Sequence, residues 1–220
     1  MFIQNIQIQK TLPVFYSKEP DVSVKKVWLL CHGYAQLPEY FMRHFEPFFA
    51  EDCLFISPQG LSTFYIQGTS GRVGASWMTK HNREVDIDDI NTYLNHVYLS
   101  VHARISPDAE WNILGFSQGV PVVLRWYFQS ALHAAKVVVW AGSMPVDIAE
   151  DILQKRLSSS CLYVVNGNRD PFLENEIDID EIRKRMADLY PKHKWLRFEG
   201  GHHLHAETLN TIIGNSIEKN

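Results

Sequence analysis

The sequence alternates short apolar runs with stretches whose apolar residues recur every three or four positions. Near-continuous apolar runs of this length are typical of strands that are buried on both faces of a parallel sheet. These runs occupy 26–32, 53–57, 111–117, 135–142, 161–167 and 193–200. The N-terminal segment 1–10 is different, because Ile6 and Ile8 alternate with polar residues, and this pattern predicts a half-buried strand.

Helices are predicted between these strands. The longest covers 85–101, where apolar residues such as Ile90 and Leu94 repeat at three- and four-residue steps. Further helices are predicted over 38–50, 118–131, 147–157, 176–189 and 205–218. Residues 58–76 contain four glycines and show no clear period, so we expect a long loop there. The alternation predicts a single α/β domain over 1–220, with a mostly parallel central sheet and helices on both faces.

Composition narrows the class of protein. Hydrophobic residues make up 45% and charged residues 21%, which excludes a disordered chain. A formal net charge of −4 without a run of Lys or Arg argues against a nucleic-acid partner. No apolar run reaches the roughly 18 residues of a membrane span. The three cysteines lie in or beside apolar runs, and the N-terminus lacks the pattern of a secretory signal, so we expect free thiols and a cytoplasmic location.

Ser117 stands at the centre of a G-x-S-x-G pentapeptide, residues 115–119. In a nucleophile elbow this motif follows a strand and opens a helix, and small residues flank the strained turn that carries the serine. Here WNIL precedes the motif and an apolar amphipathic stretch follows it. The context favours an elbow over an ordinary glycine-rich turn, and Ser117 is the candidate nucleophile.

A catalytic serine needs a neighbouring base and an acid that orients the base, and in this type of fold the acid comes second along the chain. Asp170 follows the buried strand that ends near Val165, which places its carboxylate at the carboxyl edge of the sheet. Its alternative role is that of a turn residue before Pro171. Asp178 and Asp180 are weaker candidates, because they begin a predicted helix, where capping explains them.

Three histidines follow the last predicted strand, and any of them could supply the base. His202 comes directly after a Gly-Gly turn, and we favour it over His203 from the expected position in the loop. His205 is interpreted as the start of the last helix. The cluster could also bind a metal, but no H-E-x-x-H spacing or paired carboxylate accompanies it. We therefore expect neither a metal nor another cofactor.

Acyl transfer also requires donors for the oxyanion, usually two backbone N–H groups. One is expected from Gln118, directly after the nucleophile. The second is expected from the loop after the strand over 26–32, where His32 and Gly33 form a His-Gly motif and Tyr34 is the candidate donor. Nucleophile, acid, base and donor loop thus each occur where this chemistry needs them.

Over most of its length the chain resembles the phospholipase/carboxylesterase family, which includes acyl-protein thioesterases. The resemblance rests on LLCHG, GASWM, GFSQG, NGNRDP and FEGGH. GFSQG is the most specific of these motifs, because glutamine after the serine is typical of that family. The resemblance implies the α/β-hydrolase fold, with Ser117, Asp170 and His202 as the triad and the backbones of Tyr34 and Gln118 as oxyanion donors.

Two departures from the family pattern affect the surroundings of the site. The family commonly has His-Gly-x-Gly-Asp, whereas Ala35 and Gln36 fill the last two places here. A second small residue usually follows GFSQG, whereas this chain has Val120 and then Pro121, which is tolerated in a first helical turn. These changes concern the substrate and the shape of the donor loop more than the chemistry.

The substrate side is expected to be open, because only one short helix fits between the strands ending at 142 and starting at 161, and a separate cap domain does not. The loop over 58–76 is its expected wall. The resemblance implies an aromatic residue near the substrate at Trp77, which fits the role of a packed loop anchor equally well. Candidates for an apolar acyl pocket, each with core packing as its alternative role, are Phe64, Tyr65, Trp77, Met78 and Phe172.

The resulting hypothesis is a serine hydrolase that cleaves small-molecule carboxylic esters or thioesters through an acyl-enzyme. One alternative is a small peptidase or another acyl hydrolase that uses the same triad. The other is a non-catalytic binding protein that has kept the fold. The intact set formed by Ser117, Asp170 and the histidine loop argues against the last of these.

Overall fold

The computed structural model describes residues 2–172, 187–188, 190 and 193–214. The strands are β1 (Val14–Tyr16), β2 (Lys26–Cys31), β3 (Cys53–Pro58), β4 (Ser62–Tyr65), β5 (Val73–Ser76), β6 (Glu110–Phe116), β7 (Ala134–Trp140), β8 (Cys161–Gly167) and β9 (Lys194–Phe198). The helices are α1 (Pro38–Met42), α2 (Arg83–His102), α3 (Gly119–Gln129), α4 (Glu150–Leu157) and α5 (Ala206–Ile213), and a 3-10 helix (Arg43–Phe48) follows α1.

The central sheet has seven strands in the order β1-β3-β2-β6-β7-β8-β9. Only β1 pairs antiparallel within it, and the five other neighbouring pairs are parallel. β4 and β5 form a separate antiparallel hairpin. The predicted fold class, a mostly parallel sheet within an α/β arrangement, is confirmed.

Two apolar cores cover the two faces of the sheet, and β2 shows how they divide. Val27 and Leu29 belong to the core beneath α2, α3 and α4, whereas Trp28 and Leu30 belong to the core beneath α1 and α5. All four are 0% exposed. Successive side chains of a strand point to opposite faces, so a strand covered on both faces needs an apolar residue at every position.

The parallel arrangement brings the candidate site together. The loops that follow β2, β6, β8 and β9 leave from the carboxyl ends of parallel strands and meet at one edge of the sheet. These loops carry the donor motif at His32, the elbow at Ser117, Asp170 and the histidines.

The predicted N-terminal strand over 1–10 is wrong. Residues 2–12 form no strand, and Ile6 and Ile8 are 76% and 83% exposed. Alternation identifies a segment that could line one face of a sheet, but a strand also needs a neighbour for its backbone hydrogen bonds. The edge strand β1 begins only at Val14.

The loop predicted over 58–76 is also wrong in part, because it contains the β4–β5 hairpin, in which Phe64 lies opposite Gly74. The helix predicted over 38–50 is divided into α1 and the 3-10 helix, which contains Pro47. Proline removes a backbone donor and disfavours a continuous α-helix.

The other predicted helices correspond to α2, α3, α4 and α5, with ends shifted by a few residues where the structure describes them. Positions 215–218 of the last predicted helix lie outside the described residues. Most of the helix predicted over 176–189, including Asp178 and Asp180, lies outside the described residues. No helix in the described part of the chain is long and apolar enough to cross a membrane.

Candidate active site

Ser117 occupies a strained turn between β6 and α3, with a φ of +54°. This left-handed conformation is unfavourable for a residue other than glycine and often marks a functional position. The flanking glycines are required by close packing. A β-carbon at Gly115 would lie 2.5 Å from Val120 Cα, and one at Gly119 would lie 2.1 Å from the Cys31 carbonyl oxygen. The pentapeptide therefore forms the sharp elbow that its sequence predicts.

Asp170 and His202 form a directly bonded pair. Asp170 is completely buried, and its Oδ2 lies 2.8 Å from Nδ1 of His202, whose side chain is 20% exposed. The other carboxylate oxygen accepts the backbone N–H of Phe172 at 3.0 Å. Because a carboxylate accepts hydrogen bonds, this bond assigns a proton to Nδ1, and a neutral ring then carries its lone pair on Nε2. This is the tautomer that a general base requires.

Backbone contacts hold the acid loop against the base loop. Arg169 N–H donates to the Gly200 carbonyl at 2.9 Å, and Gly200 N–H donates to Oδ1 of Asn168 at 3.1 Å. A β-carbon at Gly167 would lie 2.3 Å from the Gly200 oxygen. The asparagine and glycines of NGNRDP and FEGGH thus let two loops that are distant in sequence approach closely enough for the Asp170–His202 bond.

The structure distinguishes the three histidines by their contacts. His202 is bonded to Asp170, whereas the ring of His203 packs edge-on against Phe198, with the ring centroids 5.2 Å apart. His205 directly precedes α5, and its Nδ1 lies 3.0 Å from Oγ1 of Thr208. No cluster suited to a metal ion occurs within the described ranges.

The residue before the candidate nucleophile contacts the candidate base. The ring of Phe116, the residue before Ser117, lies 5.0 Å from that of His202 between centroids. Among the described residues, the Ser117 hydroxyl makes no hydrogen bond to His202. Such bonds are often long until a substrate closes the site. The catalytic roles of Ser117, Asp170 and His202 stay predictions.

The predicted oxyanion donors, the N–H groups of Tyr34 and Gln118, have no acceptor among the described residues. Gln118 lies at the start of α3, where helical N–H groups are unpaired and the helix dipole favours negative charge. The departures from the family pattern are accommodated nearby. Ala35 adopts a φ of +62° and donates to the Ala75 carbonyl, and Gln36 Oε1 accepts the Gly33 N–H at 2.7 Å.

His32 is a buried structural residue behind the donor loop. Its Nδ1 lies 2.8 Å from the Gly33 carbonyl, and its Nε2 accepts the N–H of Gly60 at 3.0 Å. Nδ1 must therefore donate and Nε2 must accept, which fixes a neutral ring. Burial lowers the pKa of His32 to about 4, with the Gly33 bond opposing the shift.

The side chain of Gln118 connects the elbow to the end of β5. Its Oε1 accepts the Trp77 N–H at 3.1 Å, and its Nε2 donates to the Met78 carbonyl at 2.9 Å. The Trp77 indole N–H donates to the His32 carbonyl at 2.9 Å, and its ring packs on the His32 ring. We call His32, Trp77 and Gln118 the support network, because their buried and partly buried hydrogen bonds connect the loop that carries Tyr34 to the elbow that carries Gln118.

The predicted acyl-pocket residues separate into two groups. Trp77 is 1% exposed, which favours the anchor role over contact with a substrate, and Met78 is partly buried against the core. Phe64 stacks on Tyr34 at 5.1 Å between ring centroids, and Phe172 contacts the His202 ring at 4.7 Å. Tyr65 is 49% exposed on the hairpin.

Sequence reasoning missed the structural roles of the His32 ring and the Gln118 carboxamide. The sequence also gave no reason to connect Tyr40, His44 and Arg72, which line one cavity beside the donor loop. The only available signal was for His32, whose position at the end of a buried apolar strand indicates a buried ring.

Comparison with known proteins supports the fold. No protein-family model matches the sequence, and no curated protein matches it significantly. Solved structures share the fold. The phospholipase/carboxylesterase from Dyadobacter fermentans is 14% identical, with a TM-score of 0.65 over 95% of this chain and 99% of that one.

Two other solved structures have the same fold. Acyl-protein thioesterase 2 from Zea mays is 14% identical, with a TM-score of 0.64 over 91% of this chain and 96% of that one. The Bacillus cereus carboxylesterase is 15% identical, with a TM-score of 0.64 over 92% of each chain. The predicted α/β-hydrolase fold is confirmed, and at these identities the likeness establishes the fold alone.

Proposed function

We propose that this protein is a serine hydrolase that cleaves carboxylic esters or thioesters through an acyl-enzyme. The observation that carries the proposal is the Asp170–His202 bond at 2.8 Å, together with a serine held at a φ of +54° directly after Phe116, whose ring contacts His202. A buried carboxylate that orients an imidazole, next to a nucleophile elbow, is the arrangement that activates a serine hydroxyl. Solved structures of similar fold that are named as esterases and thioesterases support the same chemistry.

In the proposed reaction, Ser117 Oγ attacks the substrate carbonyl carbon while His202 Nε2 takes the hydroxyl proton. Asp170 stabilises the resulting imidazolium and does not itself take the proton. The N–H groups of Tyr34 and Gln118 bind the oxyanion. The imidazolium then protonates the leaving alcohol or thiol, and a water molecule, activated by the same imidazole, hydrolyses the acyl-enzyme and restores Ser117.

The test is turnover of a p-nitrophenyl ester series from acetate to laurate, with acetylthiocholine and a peptide p-nitroanilide in parallel. Ser117→Ala should lower kcat by about three decades or more. Ser100→Ala is the matched control, because Ser100 lies on α2 and its hydroxyl donates to the Val97 carbonyl within the same helix. A fluorophosphonate probe should label wild type and Ser100→Ala but not Ser117→Ala.

Each outcome bears on a different hypothesis. Equal turnover by Ser117→Ala and wild type would contradict the assignment of the nucleophile. Turnover of the anilide at rates comparable to those of the esters would indicate a peptidase. No turnover and no labelling of folded protein would indicate a binding protein that has kept the fold.

A further inference from the structure

A cavity of about 660 Å³ lies beside the donor loop and has no part in the proposed proton transfers. Its walls come from the loop after β2, from α1 with the 3-10 helix, and from the tip of the β4–β5 hairpin. The lining residues are Ala35, Gln36, Leu37, Tyr40, Phe41, His44, Gly71, Arg72 and Val73. Its volume lies within the range of about 300–1,000 Å³ that is typical of small-molecule sites.

Contacts between rings connect this cavity to the candidate catalytic residues. Phe41 packs against Phe116 with the ring centroids 6.1 Å apart, and Phe116 packs against His202 at 5.0 Å. Ala35 in the cavity wall directly follows Tyr34, the predicted oxyanion donor. The cavity wall therefore begins one residue along the loop from a predicted oxyanion donor.

The charge of the lining is one-sided. Arg72 is permanently cationic, and within the described residues it makes no ion pair. None of the nine lining residues is acidic. The Arg43 guanidinium lies 4.7 Å from the centre of the Tyr40 ring, which adds a second cation behind the wall. Tyr40 and His44 offer polar groups that can donate hydrogen bonds.

We propose that this cavity is a subsite for a carboxylate group of the substrate, with Arg72 as the residue that determines specificity. The proposal rests on the proposed function and names its substrate class, namely esters or thioesters in which one half carries a carboxylate. A guanidinium binds a carboxylate through two parallel charge-assisted hydrogen bonds. Leu37, Phe41 and Val73 provide the apolar wall for the carbon chain between the ester and the carboxylate.

The test measures binding affinity in the absence of turnover, so its result does not depend on whether the proposed reaction occurs. In the Ser117→Ala background, calorimetry is used to titrate monomethyl adipate, with a carboxylate in the acyl half, and butyryloxyacetate, with a carboxylate in the alcohol half. Dimethyl adipate is the neutral analogue. Adding Arg72→Gln should weaken binding of at least one charged ester about tenfold or more and leave dimethyl adipate within twofold.

Arg104→Gln is the matched control, because Arg104 pairs with Glu19 on the surface and does not line the cavity. It removes the same charge and should leave every affinity within twofold. The subsite would be overturned if both charged esters bound equally well with and without Arg72. It would also be overturned if they bound no more tightly than dimethyl adipate, or did not bind at all. Ester turnover by wild type would still stand in that case, which separates this failure from that of the proposed function.

Discussion

The two sides of the candidate site differ in how firmly they are held. In the support network, His32 and Trp77 are 0% and 1% exposed, and each is fixed by hydrogen bonds. On the other side, the rings of Tyr34 and Phe172 make contacts at the surface, and these residues are 57% and 74% exposed. Only the ring of Tyr34 belongs to this side, because its backbone N–H is one of the predicted oxyanion donors. Oxyanion donors must be fixed in place before the reaction begins, whereas substrate contacts can vary at little cost in stability. We therefore expect the proposed chemistry to depend on the buried side and the choice of substrate on the exposed side.

The strongest test of the buried side is Asp170→Asn. The amide retains the shape of the carboxylate but loses the charge that fixes the tautomer and stabilises the imidazolium, so kcat should fall by about three decades or more. The assay is p-nitrophenyl butyrate turnover, with circular dichroism to verify folding. Asp108→Asn, in a surface turn, should retain full activity. A tenfold loss or less in Asp170→Asn would remove Asp170 from the proposed triad.

A second test uses the pH dependence of stability. The pKa of His32 is about 4 in the folded protein and about 6.5 when the residue is unfolded, so the unfolded chain binds the proton first as the pH falls. The stabilisation is complete above pH 6.5 and is lost as the pH falls towards 4. The shift corresponds to about 3 kcal/mol.

Urea unfolding at pH 7 and at pH 4 measures this directly. The free energy of unfolding of wild type should fall by about 3 kcal/mol more than that of His32→Gln, in which the other titrating groups are unchanged. Parallel losses in the two proteins would show that His32 titrates normally and that the support network does not hold it neutral.

The same division between buried and exposed parts explains what could be predicted from the sequence. β2 and the Ser117 elbow are encoded locally, by a continuous apolar run and by glycines that flank a serine. The Asp170–His202 contact follows from the convergence of parallel strands at one edge of the sheet. The support network is different, because Gln118 meets Trp77 only through the β4–β5 hairpin. The glycines around that hairpin obscured its pairing, and with it the cavity at Arg72.

The N-terminal segment shows the opposite error. Ile6 and Ile8 alternate as strand residues do, yet both are exposed, because alternation does not supply a pairing partner. Apolar patterns therefore predicted strands correctly where a neighbouring strand was available for pairing, and wrongly where none was.

A third test removes one bond of the support network. Trp77→Phe deletes the indole N–H and leaves the buried His32 carbonyl without this donor, which should cost about 2 kcal/mol of stability. Loosening of the donor loop should lower kcat more than it raises KM. Trp126→Phe is the matched control, because Trp126 is equally buried and its indole nitrogen has no partner among the described residues. Equal losses of stability and kcat in the two variants would show that the effect comes from packing and not from the Trp77–His32 hydrogen bond.

The smallest effect is expected on the exposed side. Phe172→Ala removes a ring that covers His202 but is 74% exposed, so the free energy of unfolding should change by only about 0.5 kcal/mol or less. KM for p-nitrophenyl butyrate should rise a few-fold, because the ring provides apolar surface next to the base. Phe2→Ala, at a residue that is 89% exposed and far along the chain from the site, should leave KM unchanged. A large loss of stability in Phe172→Ala would show that this exposed ring supports the Asp170–His202 bond. That result would contradict the division between a fixed buried side and an adjustable exposed side.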